Sequence, residues 1–199
     1  MIPVKARPEP PDFDACVRQP GLAWMRKKGL SLRRKLPPRS QLEPYWRECL
    51  GDLHASYDGV CAYLCVYIER CTGAMTTDHF VAKSSMAGLA YEWANYRLAC
   101  STMNARKGTF DDVLDPFSCR PGTFHLELVT GRIYPNPKLS AGRRQAASKT
   151  IDRLGLDEYE CREMRALYYR DYRDGHLSEA YFRRRSPFVW SEAKRQGLL

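Results

Sequence analysis

A chain of 199 residues, 44% hydrophobic and 12% aromatic, carries enough apolar surface for one buried domain with extensions, or two small domains, which excludes wholesale disorder. No apolar run approaches the roughly 20 residues of a membrane-spanning helix, and Met1-Ile2-Pro3-Val4-Lys5 opens no secretion signal, so a soluble, cytoplasmic protein without membrane partners is expected. The net charge of +9 is uneven: residues 1–40 contribute +7, residues 41–120 contribute −3 and residues 121–199 contribute +5. Two basic flanks around an acidic middle suit a polyanion-binding protein with a cation at its centre, although a basic solvated surface accounts for the charge equally well.

Residues 1–40 hold two basic triplets, Arg26-Lys27-Lys28 and Arg33-Arg34-Lys35, among frequent prolines. Proline lacks a backbone donor and constrains its neighbour, so this segment reads as an extended basic arm that either tracks a polyanion or wraps the core. A helix is expected over Gln41 to Ala55, with Ser40 and Glu43 as a capping box and Leu42, Trp46, Cys49 and Leu53 at helical spacing. After the Asp58-Gly59 turn, Cys61 to Ile68 is a short apolar run rich in β-formers, read as a strand that Thr72-Gly73 breaks. Thr77 to Val81 is a second extended piece, followed by a loop through Ser84 and Gly88. Tyr96 to Cys100 is a strand, and Ser101 to Lys107 is a short helix ended by Gly108. The last third, residues 121–199, reads as helical. Asp157 and Glu160 cap a helix whose stripe is Cys161, Met164, Tyr168 and Tyr172. Gly175 ends it, another helix starts near Ser178, and Pro187 opens a last one that ends at Gly197.

The chemistry concentrates in three pieces: Thr77-Asp78-His79-Phe80-Val81-Ala82-Lys83, Trp93-Ala94-Asn95-Tyr96-Arg97-Leu98, and Cys100-Ser101-Thr102-Met103-Asn104-Ala105-Arg106-Lys107. An Asp-His pair, an Asn before an apolar strand, and an Asn nine residues later on a short helix together resemble the HNH endonuclease family. That resemblance implies a ββα-metal core around residues 57–117, set in a mostly helical α+β domain, with residues 41–120 as the nuclease region. It implies His79 as general base, Asp78 and Asn104 as ligands of one Mg2+ or Mn2+ ion, and Asn95 as the residue that fixes the loop carrying His79. The residue types suit that chemistry. Neutral imidazole is well populated at pH 7, and a sparse set of hard oxygen ligands leaves places for water and phosphate. Asp78 and His79 are adjacent, so on an extended backbone they point to opposite sides unless the chain is locally turned. Lys83, Arg97, Arg106 and Lys107 are candidates to neutralise nucleic-acid phosphates, and Glu92 reads as a local structural residue.

Many members of the family hold a structural zinc between two Cys-x-x-Cys pairs. Here the first pair is Cys61-x-x-x-Cys65, one residue too long, and the second is Cys100-x-x-Met103, whose thioether is a poor zinc ligand. Cys61, Cys65 and Cys100 are therefore weighed as zinc ligands against buried core thiols, and the thiols are favoured; without a secretion signal the eight cysteines are expected unpaired. Phe110-Asp111-Asp112-Val113-Leu114-Asp115-Pro116-Phe117, Gly131-x-Ile133-x-Pro135 and Thr150-Ile151-x-x-Leu154 resemble the HNH proteins found with bacterial retron and Septu-type defence modules. The resulting expectation is a metal-dependent endonuclease acting on DNA, double-stranded in the first instance. A partner-activated effector of a defence or mobile-element module and a non-catalytic nucleic-acid-binding module are the alternatives.

Overall fold

The computed structural model describes residues 1–37, 40–72 and 74–199. Gly73, the expected strand breaker, and Pro38 and Arg39 of the expected arm lie outside the described residues. The fold is α+β, with seven α-helices and two two-stranded antiparallel sheets among the described residues. No helix among them is long and apolar enough to cross a membrane. The chain divides into two compact units: a hairpin unit of Ala6–Gly59 and Ile68–Asp111, and a helical unit of Met1–Lys5, Val60–Tyr67 and Asp112–Leu199. These boundaries differ from the divisions at 40 and 120 drawn from composition, because the chain passes between the units four times.

In the hairpin unit a π-type turn, Asp14–Arg18, leads into helix α1, Gln19–Lys27. Phe13, Val17 and Met25 are buried, so the proline-rich segment wraps the core with its apolar side. Its basic triplets stay exposed. Gly21 is required on α1 because a Cβ there would come within 2.4 Å of the Tyr91 ring. The helix expected over 41–55 is shorter. Pro44 precedes a single 3-10 turn, Tyr45–Arg47, and α2 covers only Leu50–Ser56. The Ser40–Glu43 capping box does not form at its head; the constrained backbone around Pro44 delays the helix.

Strand β1, Met75–His79, pairs with β2, Tyr96–Cys100, with Asp78 opposite Arg97 and His79 opposite Tyr96. The extended piece expected at 77–81 thus lies two residues earlier. Strand β2 and the helix that follows it at once, α3 (Ser101–Lys107), coincide with the sequence reading. Gly108 ends α3 at φ +50°, a left-handed conformation that a side chain resists. Both α2 and α3 pack on the hairpin, which explains why Tyr96 through Ala99 are all buried although they alternate between faces. Phe13 meets Trp93 and Tyr96 edge-on, with ring centroids 5.5 and 5.7 Å apart. Each such buried aromatic contributes about 1.5–3 kcal/mol by leaving water.

Cys61 to Ile68, which lies in the helical unit up to Tyr67, is not the strand its apolar run suggested. Val60 and Tyr67 make one isolated bridge, and the chain between them doubles back through Cys65 N to Cys61 O (2.8 Å) and Cys61 N to Val66 O (2.9 Å). Cys65 sits at φ +57°, and Tyr63 is wholly buried. A run buried on all sides carries no period, so sequence could not separate strand from buried turn. The region from 121, expected to be helical, opens with a second hairpin: β3 (Phe124–Leu126) against β4 (Ile133–Pro135). Then come α4 (Ala141–Leu154), α5 (Tyr159–Arg173), α6 (Glu179–Arg185) and α7 (Pro187–Arg195). Asp157 does not cap α5 as a box; its Oδ1 accepts from Ile133 N at 2.9 Å. The buried face of α5 is Cys161, Arg165, Ala166 and Tyr169, rotated from the expected stripe because the Arg165 guanidinium donates inward to Gly131 O (2.7 Å) and Leu156 O (2.6 Å).

Candidate active site

His79 ends β1 with only 7% of its surface exposed. Its Nε2 lies 2.9 Å from Ala90 O, and a carbonyl only accepts, so Nε2 carries the proton. Ala90 O also accepts from the Tyr96 hydroxyl at 2.7 Å. The ring is wedged edge-on between Trp46 (4.8 Å) and Tyr96 (5.1 Å). Burial first, then the charges of Lys83 and Lys107, push the imidazole down to about 3, against a smaller opposing effect of the Ala90 bond. His79 is therefore neutral at physiological pH, with its lone pair on Nδ1.

Asp78 leaves the strand on the other face, as the pleat requires. It is 1% exposed and meets Lys107 Nζ at 3.3 Å; that ammonium also donates to His79 O at 3.0 Å. One turn back along α3, Asn104 Nδ2 donates to Thr76 Oγ1 (3.1 Å), and Thr76 Oγ1 donates to Ala99 O (2.8 Å). Thr76 and Asp78 share one face of β1, and Asn104 and Lys107 share one face of α3. The strand and helix are thus joined by two rungs, Asn104–Thr76 and Lys107–Asp78. With its amide nitrogen committed to Thr76, Asn104 has its carbonyl oxygen as the atom available to a ligand. A carboxylate and an amide carbonyl are hard oxygen donors, and that chemistry fits magnesium or manganese with water completing the shell. Among the described residues no group of three or more His, Cys, Asp or Glu side chains is gathered for a metal.

Asn95 stands just before β2 and is 6% exposed. Its Oδ1 accepts from Val81 N (2.8 Å), its Nδ2 donates to Val81 O and Leu89 O (3.0 Å each), and its own carbonyl accepts from Phe80 N (2.9 Å). These bonds tie both ends of the loop between the strands, and Leu89 immediately precedes the carbonyl that holds His79.

The four basic candidates have separate fates. Lys83 is half-buried with its ammonium 4.2 Å from the Trp46 ring centroid; burial, then Arg47, lower its pKa, and Asp78 opposes them. The Lys83 charge acts on both His79 and Asp78, as that of Lys107 does. Arg106 is half-buried. Arg97 is 4% exposed, donates to Ala94 O (2.8 Å) and Tyr96 O (3.0 Å) and lies over Phe80; Lys107 is wholly buried. The last two are engaged internally, where a phosphate does not reach. Glu92 pairs with Arg18 at 3.2 Å, as a structural residue would. Cys61 and Cys65 are buried in the turn of the helical unit, and Cys100 is half-buried at the head of α3 in the hairpin unit.

Sequence reasoning missed Trp46, Thr76, Tyr96 and the Ala90 carbonyl as parts of this site. Thr76 was findable, because two residues before Asp78 on a strand means the same face. The Ala90 carbonyl was not, since a backbone acceptor leaves no mark in the residue types. No family model and no curated protein matches this chain.

Proposed function

We propose that the chain is a metal-dependent endonuclease with an HNH-type ββα centre, hydrolysing phosphodiester bonds of DNA. The observation that supports it best is the bond from His79 Nε2 to Ala90 O, which leaves Nδ1 as a base at the strand end. Asp78 and Asn104 lie on the opposite face of β1, so on this reading the strand end turns to bring both to one phosphate. His79 Nδ1 takes a proton from a water molecule as the water oxygen bonds to phosphorus and the ester P–O bond breaks. The imidazolium that forms keeps its Nε2–H on Ala90 O. Asp78 and Asn104 would hold one magnesium or manganese ion, which when bound supplies positive charge to the phosphate and leaving oxygens. Lys83 and Arg47 receive the phosphate, and its negative charge offsets the ammonium field that depresses His79, strengthening the base when substrate is present. Asn95 keeps the loop, and with it the imidazole, in place.

Incubating the protein with supercoiled plasmid in magnesium, with and without EDTA, tests this reading. Nicking that EDTA abolishes and His79→Ala removes is the expected result. Equal cutting by a folded His79→Ala protein would remove His79 from the mechanism.

The near-complete burial of His79 and the Lys107 ammonium on Asp78 favour one second reading, a nuclease silent until a partner protein relieves it. In that case plasmid stays intact with the chain alone and is cut when the protein recovered with it in a pull-down is added.

A further inference from the structure

The helical unit carries a cationic surface that the hydrolytic centre does not use. Helix α6 buries Phe182, capped at its head by Ser178 Oγ accepting from Tyr181 N, and turns Arg183 and Arg184 to solvent. These cations are not loose. Arg183 lies 4.9 Å and Lys194 5.3 Å from the Trp190 ring centroid, and the indole N–H donates to Glu179 at 3.0 Å. Arg184 and Arg185 lie 5.8 and 5.7 Å from the Tyr181 ring, and Arg185 also covers Tyr67 at 4.3 Å. Residues 179–195 hold five Lys or Arg against two acids, Glu179 and Glu192. Glu192 is 4% exposed and pairs with Arg195 at 2.8 Å, so Glu179 is the acid left within the cluster.

We infer that α6 and α7 form a docking surface for the phosphate backbone of duplex DNA. Cations held over aromatic rings lose less freedom on meeting a phosphate than freely solvated ones do. Trp190 and Tyr181 each already carry two cations, and although Tyr181 is exposed the surface offers charge ahead of open rings for base stacking. A duplex presents phosphates on its outside with the bases stacked within, whereas single-strand binders depend on open aromatic faces. This assignment deepens the nuclease reading and rests on it only for the choice of a nucleic acid as the polyanion.

The test is fluorescence anisotropy of the whole chain with a labelled 20-base-pair duplex in EDTA across a salt series, so that nothing is cut. Arg183→Glu with Arg184→Glu is expected to weaken binding about tenfold and to lower the slope of log K against log salt by about 2, near 0.9 per lost phosphate contact. Should that pair fail to fold by circular dichroism, Arg183→Gln with Arg184→Gln is expected to lower the slope equally. Unchanged affinity and slope would overturn the proposal. So would equal or tighter binding of the single strand, or displacement of the duplex by poly-glutamate as readily as by unlabelled duplex. A chain that binds in EDTA through these arginines but never cuts in magnesium removes the nuclease reading and leaves the docking surface. A cutting chain whose arginine variants bind normally does the reverse.

Discussion

Lys107 and Asp78 meet at 3.3 Å with both side chains withdrawn from water, and the same ammonium holds the carbonyl of His79. Removing one partner of such a pair strands the other charge in the interior, at a cost of about 3–5 kcal/mol. Lys107→Met is expected to destabilise the protein by that amount in urea unfolding. Adding Asp78→Asn should recover most of the stability while leaving the protein unable to cut, because the carboxylate proposed to hold the ion is gone. Full recovery of both stability and cutting would show that Asp78 serves packing alone.

His79→Gln removes the proposed base while keeping a polar side chain beside Ala90 O. Loss of a general base costs about 100- to 10,000-fold, so cutting should fall by at least the lower figure with DNA affinity in EDTA unchanged. A parallel loss of affinity would place His79 in substrate binding instead.

Asn95→Ala deletes three hydrogen bonds to the backbone of Val81 and Leu89. These bonds are only part-buried, so each is worth about 1 kcal/mol. Hydrogen exchange at the Val81 amide should rise at least tenfold, and cutting should fall although Asn95 touches no substrate. An unaltered exchange rate would mean that the loop is held by other contacts.

Acid stability follows from His79. Its folded pKa, near 3, lies below the unfolded value of 6.5, so the unfolded chain binds more protons between them. The depressed imidazole therefore costs nothing above pH 6.5, and stability falls as pH drops from 6.5 toward 3. The total from this group is about 5 kcal/mol. Urea melts in EDTA at pH 7 and pH 5 should show a smaller loss for His79→Gln than for the wild type. Equal losses would place the acid sensitivity in other groups.

The stretch from Asn95 to Gly108 was legible because several local signals agree there: a turn residue, a β-rich run, a short helix and a glycine at positive φ. The approach to it was not. Pro44 deferred a helix that its apolar spacing had announced, and Cys61 to Ile68 offered an apolar run whose burial on all sides erased the period. The three-residue strands β3 and β4 are too short to show alternation at all. Within the site, Asn95 and Asp78 could be singled out by type and spacing, but the interior positions of Lys107 and Arg97 could not. A buried cation is readable only with its partner, and Asp78 lies 29 residues away in sequence. Opposite-facing Asp78 and His79 follow from the pleat, and the structure keeps them so, with Lys107 and Ala90 O holding each on its own side.

The fourfold passage of the chain between its units bears on how the protein comes to be made. Every residue of the hairpin unit has been synthesised by Asp111, whereas Met1–Lys5 and Val60–Tyr67 must wait for Asp112–Leu199 before their own unit exists. The β1–β2–α3 frame is therefore complete in sequence while the buried turn at Cys61–Cys65 still lacks the rest of its unit. Domains folding in order of synthesis are the common case; here two segments of the later one, Met1–Lys5 and Val60–Tyr67, are made before the earlier one is complete. Truncation after residue 111 removes the largest segment of the unit to which Val60–Tyr67 belongs, and such a fragment is expected to be less soluble than the whole chain.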